Sequence, residues 1–201
     1  MSATQLEAFE QTRTFVFQTK ALCIEYIYSR LAREGLIFPV VEYEHLKSSG
    51  TPEDVFAVLL KLGDELESMG PFIYRDVAKQ LNILVDVESM VSDAFFTVAM
   101  EISSSGMTWG KVVAVYALAG ALAVDCVRQG HTDMIYTIVD SMGVFAYKGL
   151  APWLIQQGGW VEITNCIVKP SPDLQSYWLN NIIIFWRNLW QIFFIKLTKT
   201  W

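Results

Sequence analysis

Lys111 to Arg128, KVVAVYALAGALAVDCVR, is the stretch whose reading decides the fold. Between Val112 and Ala123 there is no charge, and every residue except Gly120 is apolar. A helix here is therefore apolar on all its faces. A surface helix shows one apolar stripe, whereas a helix apolar all round must be surrounded, either by other helices or by lipid. The stretch falls short of a full membrane span, which favours a buried core helix. Its small residues, Ala114, Ala117, Ala119, Gly120, Ala121 and Ala123, let neighbouring backbones come close, in a crowded core or in lipid alike.

Working outward, Thr108 is placed to cap this helix, with Trp109, Gly110 and Lys111 in its first turn. A lysine there opposes the helix macrodipole, an effect of roughly 0.3–1 kcal/mol, which a nearby carboxylate would offset. Asp64, from this molecule or another, is the candidate partner. On the other side Gly130 closes the helix, and Thr132 and Asp133 open the next, which reaches about Lys148. The two form an antiparallel hairpin. Pro152-Trp153 starts a short helix broken at Gly158-Gly159, the chain resumes from Trp160 to Ile167, and Pro170 and Pro172 punctuate it before the tail.

Upstream, Ile24, Ile27 and Leu31 mark the buried face of a first helix, from about Gln11 to Arg33, that stops at Gly35. Residues 36–50 read as a loop. Thr51-Pro52-Glu53-Asp54 is a strong helix start, and Val55, Leu59, Leu62 and Leu66 then fall at i, i+4, i+7 and i+11 as one stripe. Gly63 sits inside this helix, where it costs about 1 kcal/mol relative to Ala, so something is expected to pack on its bare backbone. Asp64 lies at the edge of the stripe, where a cation can meet it. Further helices are expected over Ile73–Leu84 and Ser89–Ser103.

At 201 residues, with no linker dividing it, the chain suits one well-buried domain. Its 53% hydrophobic and 18% charged content is high for a soluble protein. A net charge of −6 argues against nucleic acid as a partner, since phosphate binding needs a concentrated basic surface. Cys23, Cys126 and Cys166 lie far apart in apolar contexts, as reduced core thiols of a cytosol-facing protein do. An enzyme is poorly supported. His45 and His131 have no metal-ligand spacing, there is no phosphate loop, nucleophile elbow or CxxC, and Glu101 and Asp125 read as solvated or paired. No metal or other cofactor is expected.

Three segments carry a family resemblance: LLKLGDELE (59–67), TWGKVVAVY (108–116) and PWLIQQGGW (152–160). In this order they resemble the third, first and second homology motifs (BH3, BH1 and BH2) of the Bcl-2 family of apoptosis regulators. ALCIEYIYSRL, in the first helix, is a looser match to the fourth. The resemblance implies an all-α bundle of about eight helices around a central hydrophobic hairpin, residues 1–172, with a C-terminal membrane-anchor helix in residues 173–201. It makes Val55, Leu59, Leu62 and Leu66 the apolar ligands of a BH3 motif, Gly63 its small position and Asp64 its acid. Trp109, Gly110 and Lys111 fall on BH1, and Trp153, Gly158, Gly159 and Trp160 on BH2. Val112, Leu118, Gly120 and Leu122 fall on the membrane hairpin. A groove would be bordered by residues 55–68, 73–84, 89–103 and the start of the central helix.

The implied partners are other Bcl-2 proteins through BH3-in-groove contacts, membrane lipids and, on activation, further copies of the chain. The implied location is the mitochondrial outer or endoplasmic reticulum membrane, facing the cytosol, with a soluble pool. The resemblance leaves two functions: a pro-apoptotic effector that permeabilises membranes, or a pro-survival member whose groove sequesters BH3 motifs. One departure bears on the choice. The family's first motif usually has Asn before the Trp and Arg after the Gly, where this chain has Thr108 and Lys111. Lysine offers a point charge without the bidentate fork that clamps a carboxylate, so the groove would hold an incoming Asp less firmly.

Trp178 to Leu197, WLNNIIIFWRNLWQIFFIKL, is long enough to span a bilayer. Arg187 near its middle costs about 2.5–3.5 kcal/mol against roughly 0.3–0.6 returned per large apolar residue, so insertion as a lone helix is marginal. Asn180, Arg187 and Gln191 share one stripe, with Asn181 and Asn188 beside it. Such an anchor, with Trp178 and Trp190 on it, can span, lie on a membrane or dock in a groove.

Overall fold

In the computed structural model, which describes residues 3–36 and 53–166, the regular structure is entirely helical. The order is α1 (Ala3–Arg33), α2 (Glu53–Met69), α3 (Val77–Gln80), α4 (Glu88–Ser103), α5 (Trp109–Arg128), α6 (Met134–Phe145) and α7 (Ala151–Gln157). A π-helical turn (Ala146–Leu150) joins α6 to α7, and a 3-10 turn (Trp160–Cys166) comes after α7. The anchor residues Trp178, Arg187 and Trp190, the boundary at 172/173, His45 and the Thr51-Pro52 start lie outside the described residues.

α5 is the axis. Thr108 is extended and its side chain accepts from the Lys111 N–H at 3.3 Å, so the cap forms where the sequence places it. Every residue from Val112 to Cys126 is buried, because α1, α2, α3, α4 and α6 all pack on this helix. Val112, Leu118, Gly120 and Leu122 therefore face protein on every side. α6 completes the hairpin and packs against α1, α4 and α5. Cys23 and Cys126 are buried and Cys166 is exposed.

Three expected boundaries shift. α1 begins at Ala3, eight residues before the expected start at Gln11, since its first turns are exposed and show no buried stripe. The helix expected over Ile73–Leu84 shrinks to the single turn Val77–Gln80. Asp76 and Asn82 bracket that turn with left-handed backbones (φ 53° and 52°), a conformation Asp and Asn tolerate and a continuing helix does not. Finally, the helix expected to end near Lys148 and restart at Pro152 runs on from Met134 to Gln157. Pro152 has no N–H, and its ring would strike the carbonyl four residues back. The wider π turn just before it absorbs both problems without breaking the rod.

Candidate functional site: the motif helix and its cradle

Four apolar side chains on one face of α2 are turned fully inward: Val55 and Leu59 at 0% exposure, Leu66 at 1% and Leu62 at 4%. They pack into the same core as α5. Gly63 lies on the same side, against Tyr26 of α1. A Cβ at position 63 would stand 2.1 Å from Tyr26 Oη, so the phenol occupies the space that glycine leaves. Gly120 of α5 faces the same ring and the Arg30 stem, its missing Cβ 2.8 Å from Arg30 Cγ and 3.0 Å from Tyr26 Cε1. Tyr26, fully buried, is thus wedged between glycines on two helices.

The polar rim of α2 is tied to α1 as well. Tyr26 Oη donates to Glu67 Oε1 at 3.1 Å, Arg30 Nε lies 3.0 Å from the same oxygen, and Arg33 Nη2 lies 3.0 Å from Glu67 Oε2. Arg33 also pairs with Asp64. Burial pushes the Glu67 carboxyl above the usual glutamate value, and the two arginines and the Tyr26 hydroxyl pull it back only in part. The cation expected beside Asp64 is present, and within this molecule it is Arg33 and not Lys111. Lys111 Nζ turns back to Ser105 Oγ and the Gly106 carbonyl, both at 2.7 Å, in the loop before its own helix. That contact is local and short-ranged, so it forms without calling on α2. The sequence reading missed Tyr26, Arg30, Arg33 and Glu67. Spacing puts the first three on one helix face, at i, i+4 and i+7, but does not say that this face meets the acids of α2.

The BH1 and BH2 positions meet in an aromatic cluster. Trp109 stands edge-on to Trp153 at 4.8 Å between centroids and 5.9 Å from Trp160, whose ring meets Tyr116 edge-on at 5.9 Å. Gly158 and Gly159 both have positive φ (95° and 96°), a reversal that L side chains resist, and it drops Trp160 into the core. Gly110 takes part only as the half-buried residue between Trp109 and Lys111. Of the expected groove borders, α2, α3 and α4 all rest on α5, and Phe72, Leu84 and Met100 remain exposed along them. No group of three potential metal ligands occurs among the described residues.

The model of the Bcl-2 family of apoptosis regulator proteins matches residues 59–160. The Bcl-2-related ovarian killer protein homolog B of Danio rerio is 49% identical over 99% of this chain and 96% of that protein. The Bcl-2-related ovarian killer protein of Homo sapiens is 45% identical over 98% and 95%. Among solved structures, the solution structure of human BOK superposes with a TM-score of 0.69 at 46% identity, covering 78% of this chain and 99% of that one.

Proposed function

Because the chain belongs to the Bcl-2 family of apoptosis regulators, we propose that it is a pro-apoptotic effector, which assembles in the mitochondrial outer or endoplasmic reticulum membrane and permeabilises it. The observation that carries this reading is the inward face of α2. A helix whose four apolar ligands are spent on its own core has nothing to offer a partner until it leaves that core. In this scheme Val55, Leu59, Leu62, Gly63, Asp64 and Leu66 form a stored BH3 motif. α5 and α6, with Val112, Leu118, Gly120 and Leu122, form the hairpin that exchanges protein burial for lipid. Residues 1–172 form the bundle and 173–201 the anchor, through Trp178, Arg187 and Trp190. Trp109, Gly110, Lys111, Trp153, Gly158, Gly159 and Trp160 close one end of the groove. The partners are other Bcl-2 proteins, lipids and further copies of the chain, and no chemistry is catalysed.

The pro-survival alternative asks for a cation held out to an incoming carboxylate. Lys111 spends two of its donors on Ser105 and Gly106, which supports the effector reading instead. The test is release of dye from vesicles of phosphatidylcholine and an anionic phospholipid. The purified chain, alone or with an activating BH3 peptide, is expected to empty them, and Leu59→Glu and Asp64→Ala to do so far less. Tight capture of the peptide with no release of dye at any concentration would overturn the effector reading in favour of the alternative.

A further inference from the structure

Asp125, near the end of α5, is a buried acid just past the helix's uncharged run, with 6% of its surface exposed. Its Oδ2 accepts from the Ala78 N–H at 2.9 Å. Ala78 is in the only turn of α3, whose own preceding residue, Asp76, has a left-handed backbone and gives no side-chain cap. The acceptor that an N-terminal residue usually supplies therefore comes from another helix 47 positions away in sequence. Glu67 stands on the opposite side of the 70–76 turn, tied to α1 by Tyr26, Arg30 and Arg33. Glu67, Asp125, Tyr74, Arg30 and Arg128 line one cavity of about 460 Å³. So the segment running from α2 through α3 is fastened on both sides of its turn by a carboxylate, with an open space between the two fasteners.

We propose that Asp125 is the positioning residue that holds the α2–α3 arm on the hairpin, and that its bond to α3 sets how readily that arm departs. The proposal rests on the effector reading for its consequence, though not for the fastening itself. Glu67 lies on the motif helix and its loss alters what a partner would meet. Asp125 lies on α5, so changing it loosens the arm while leaving every residue of α2 intact.

The test is hydrogen–deuterium exchange of the full chain, read peptide by peptide, beside vesicle release. Asp125→Ala removes the acceptor, and Asp125→Asn keeps an oxygen there without the charge. Amides of residues 70–84 are expected to exchange roughly tenfold faster in the alanine variant, the size expected for losing a hydrogen bond to a charged group. The asparagine variant should fall between it and the parent, and peptides from α4 and α6 should stay unchanged. Release of dye should begin several-fold sooner in the same order. If the alanine variant does not fold, the asparagine variant alone decides. Exchange that rises evenly along the chain, or not at all in 70–84, overturns the proposal. Faster exchange confined to 70–84, with no dye released by any of the proteins, sustains the role of Asp125 and removes the effector reading.

Discussion

Tyr26 is the side chain on which three helices agree, since Gly63 and Gly120 make room for it and Glu67 accepts its hydroxyl. A methyl at position 63 would sit 2.1 Å from its oxygen and 2.8 Å from two ring carbons, and the ring cannot step aside into Gly120. Gly63→Ala is therefore expected to destabilise the chain by about 1–3 kcal/mol, despite the gain of about 1 kcal/mol in helix propensity. Combined with Tyr26→Phe, which removes the closest atom, the alanine should cost clearly less than in the parent background. Urea melts of the four proteins check this, and strict additivity would contradict the wedge. That a residue packs on Gly63 was legible, because a mid-helix glycine invites one. Which residue was not, for Tyr26 lies in a helix whose register on α2 no local pattern fixes. Likewise the charge type beside Asp64 was legible, while the choice between Arg33 and Lys111 depended on where two helices cross.

At the level of elements, α1 holds α2 through ionic contacts that differ in worth. Burying the Glu67 carboxylate costs more than Arg30 and Arg33 return, which is why its pKa is raised. Glu67→Gln keeps an oxygen toward Tyr26 and Arg30 but turns an amide N–H toward Arg33, which must swing to Asp64 alone. Its melting temperature at neutral pH is thus expected to equal or exceed that of the parent. A carboxyl with a raised folded-state pKa binds its proton more tightly in the folded chain. Its contribution is full below the ordinary value of 4.5 and is lost as pH rises through the folded one. The parent should accordingly gain on the glutamine variant as pH falls from 7 towards 4.5. Glu67→Ala is a different case. It leaves the buried Arg30 with only Glu34, at 3.7 Å, and the Tyr26 hydroxyl without its acceptor, and is expected to cost about 3–5 kcal/mol. Melts of all three across that pH range separate these outcomes. Among the elements, α5 was legible from its uniform apolarity and α2 from its stripe. Periodicity overextends α3, because the left-handed backbones of Asp76 and Asn82 leave no mark on it, and Pro152 signals a break where a π turn carries the helix through.

For the molecule as a whole, the hairpin lies inside, as the sequence reading requires. Against the expectation that its stretch falls short of a span, α5 with its first turn from Trp109 is long and apolar enough to cross a membrane, yet its apolar part is 83% buried in protein. Its surroundings come from α1, α2, α3, α4 and α6, all before residue 167. We therefore expect residues 1–172 alone to melt cooperatively with full helix content in circular dichroism, and to be retained less by vesicles than the full chain. A 1–172 chain that stays unfolded would contradict the expected two-part organisation. Fold class and core were legible at this scale because one segment can be satisfied only by enclosure. How the enclosing helices are fastened was not, since that depends on pairs far apart in sequence. The wedge of Tyr26 between Gly63 and Gly120 has a historical consequence. Descendants that trim the ring at 26 are released to enlarge position 63, while position 120 stays held by the Arg30 Cγ that a Cβ there would meet at 2.8 Å. Across relatives, the alignment columns of 26 and 63 should drift in step or stay fixed together, and that of 120 should stay small while an arginine stands at 30.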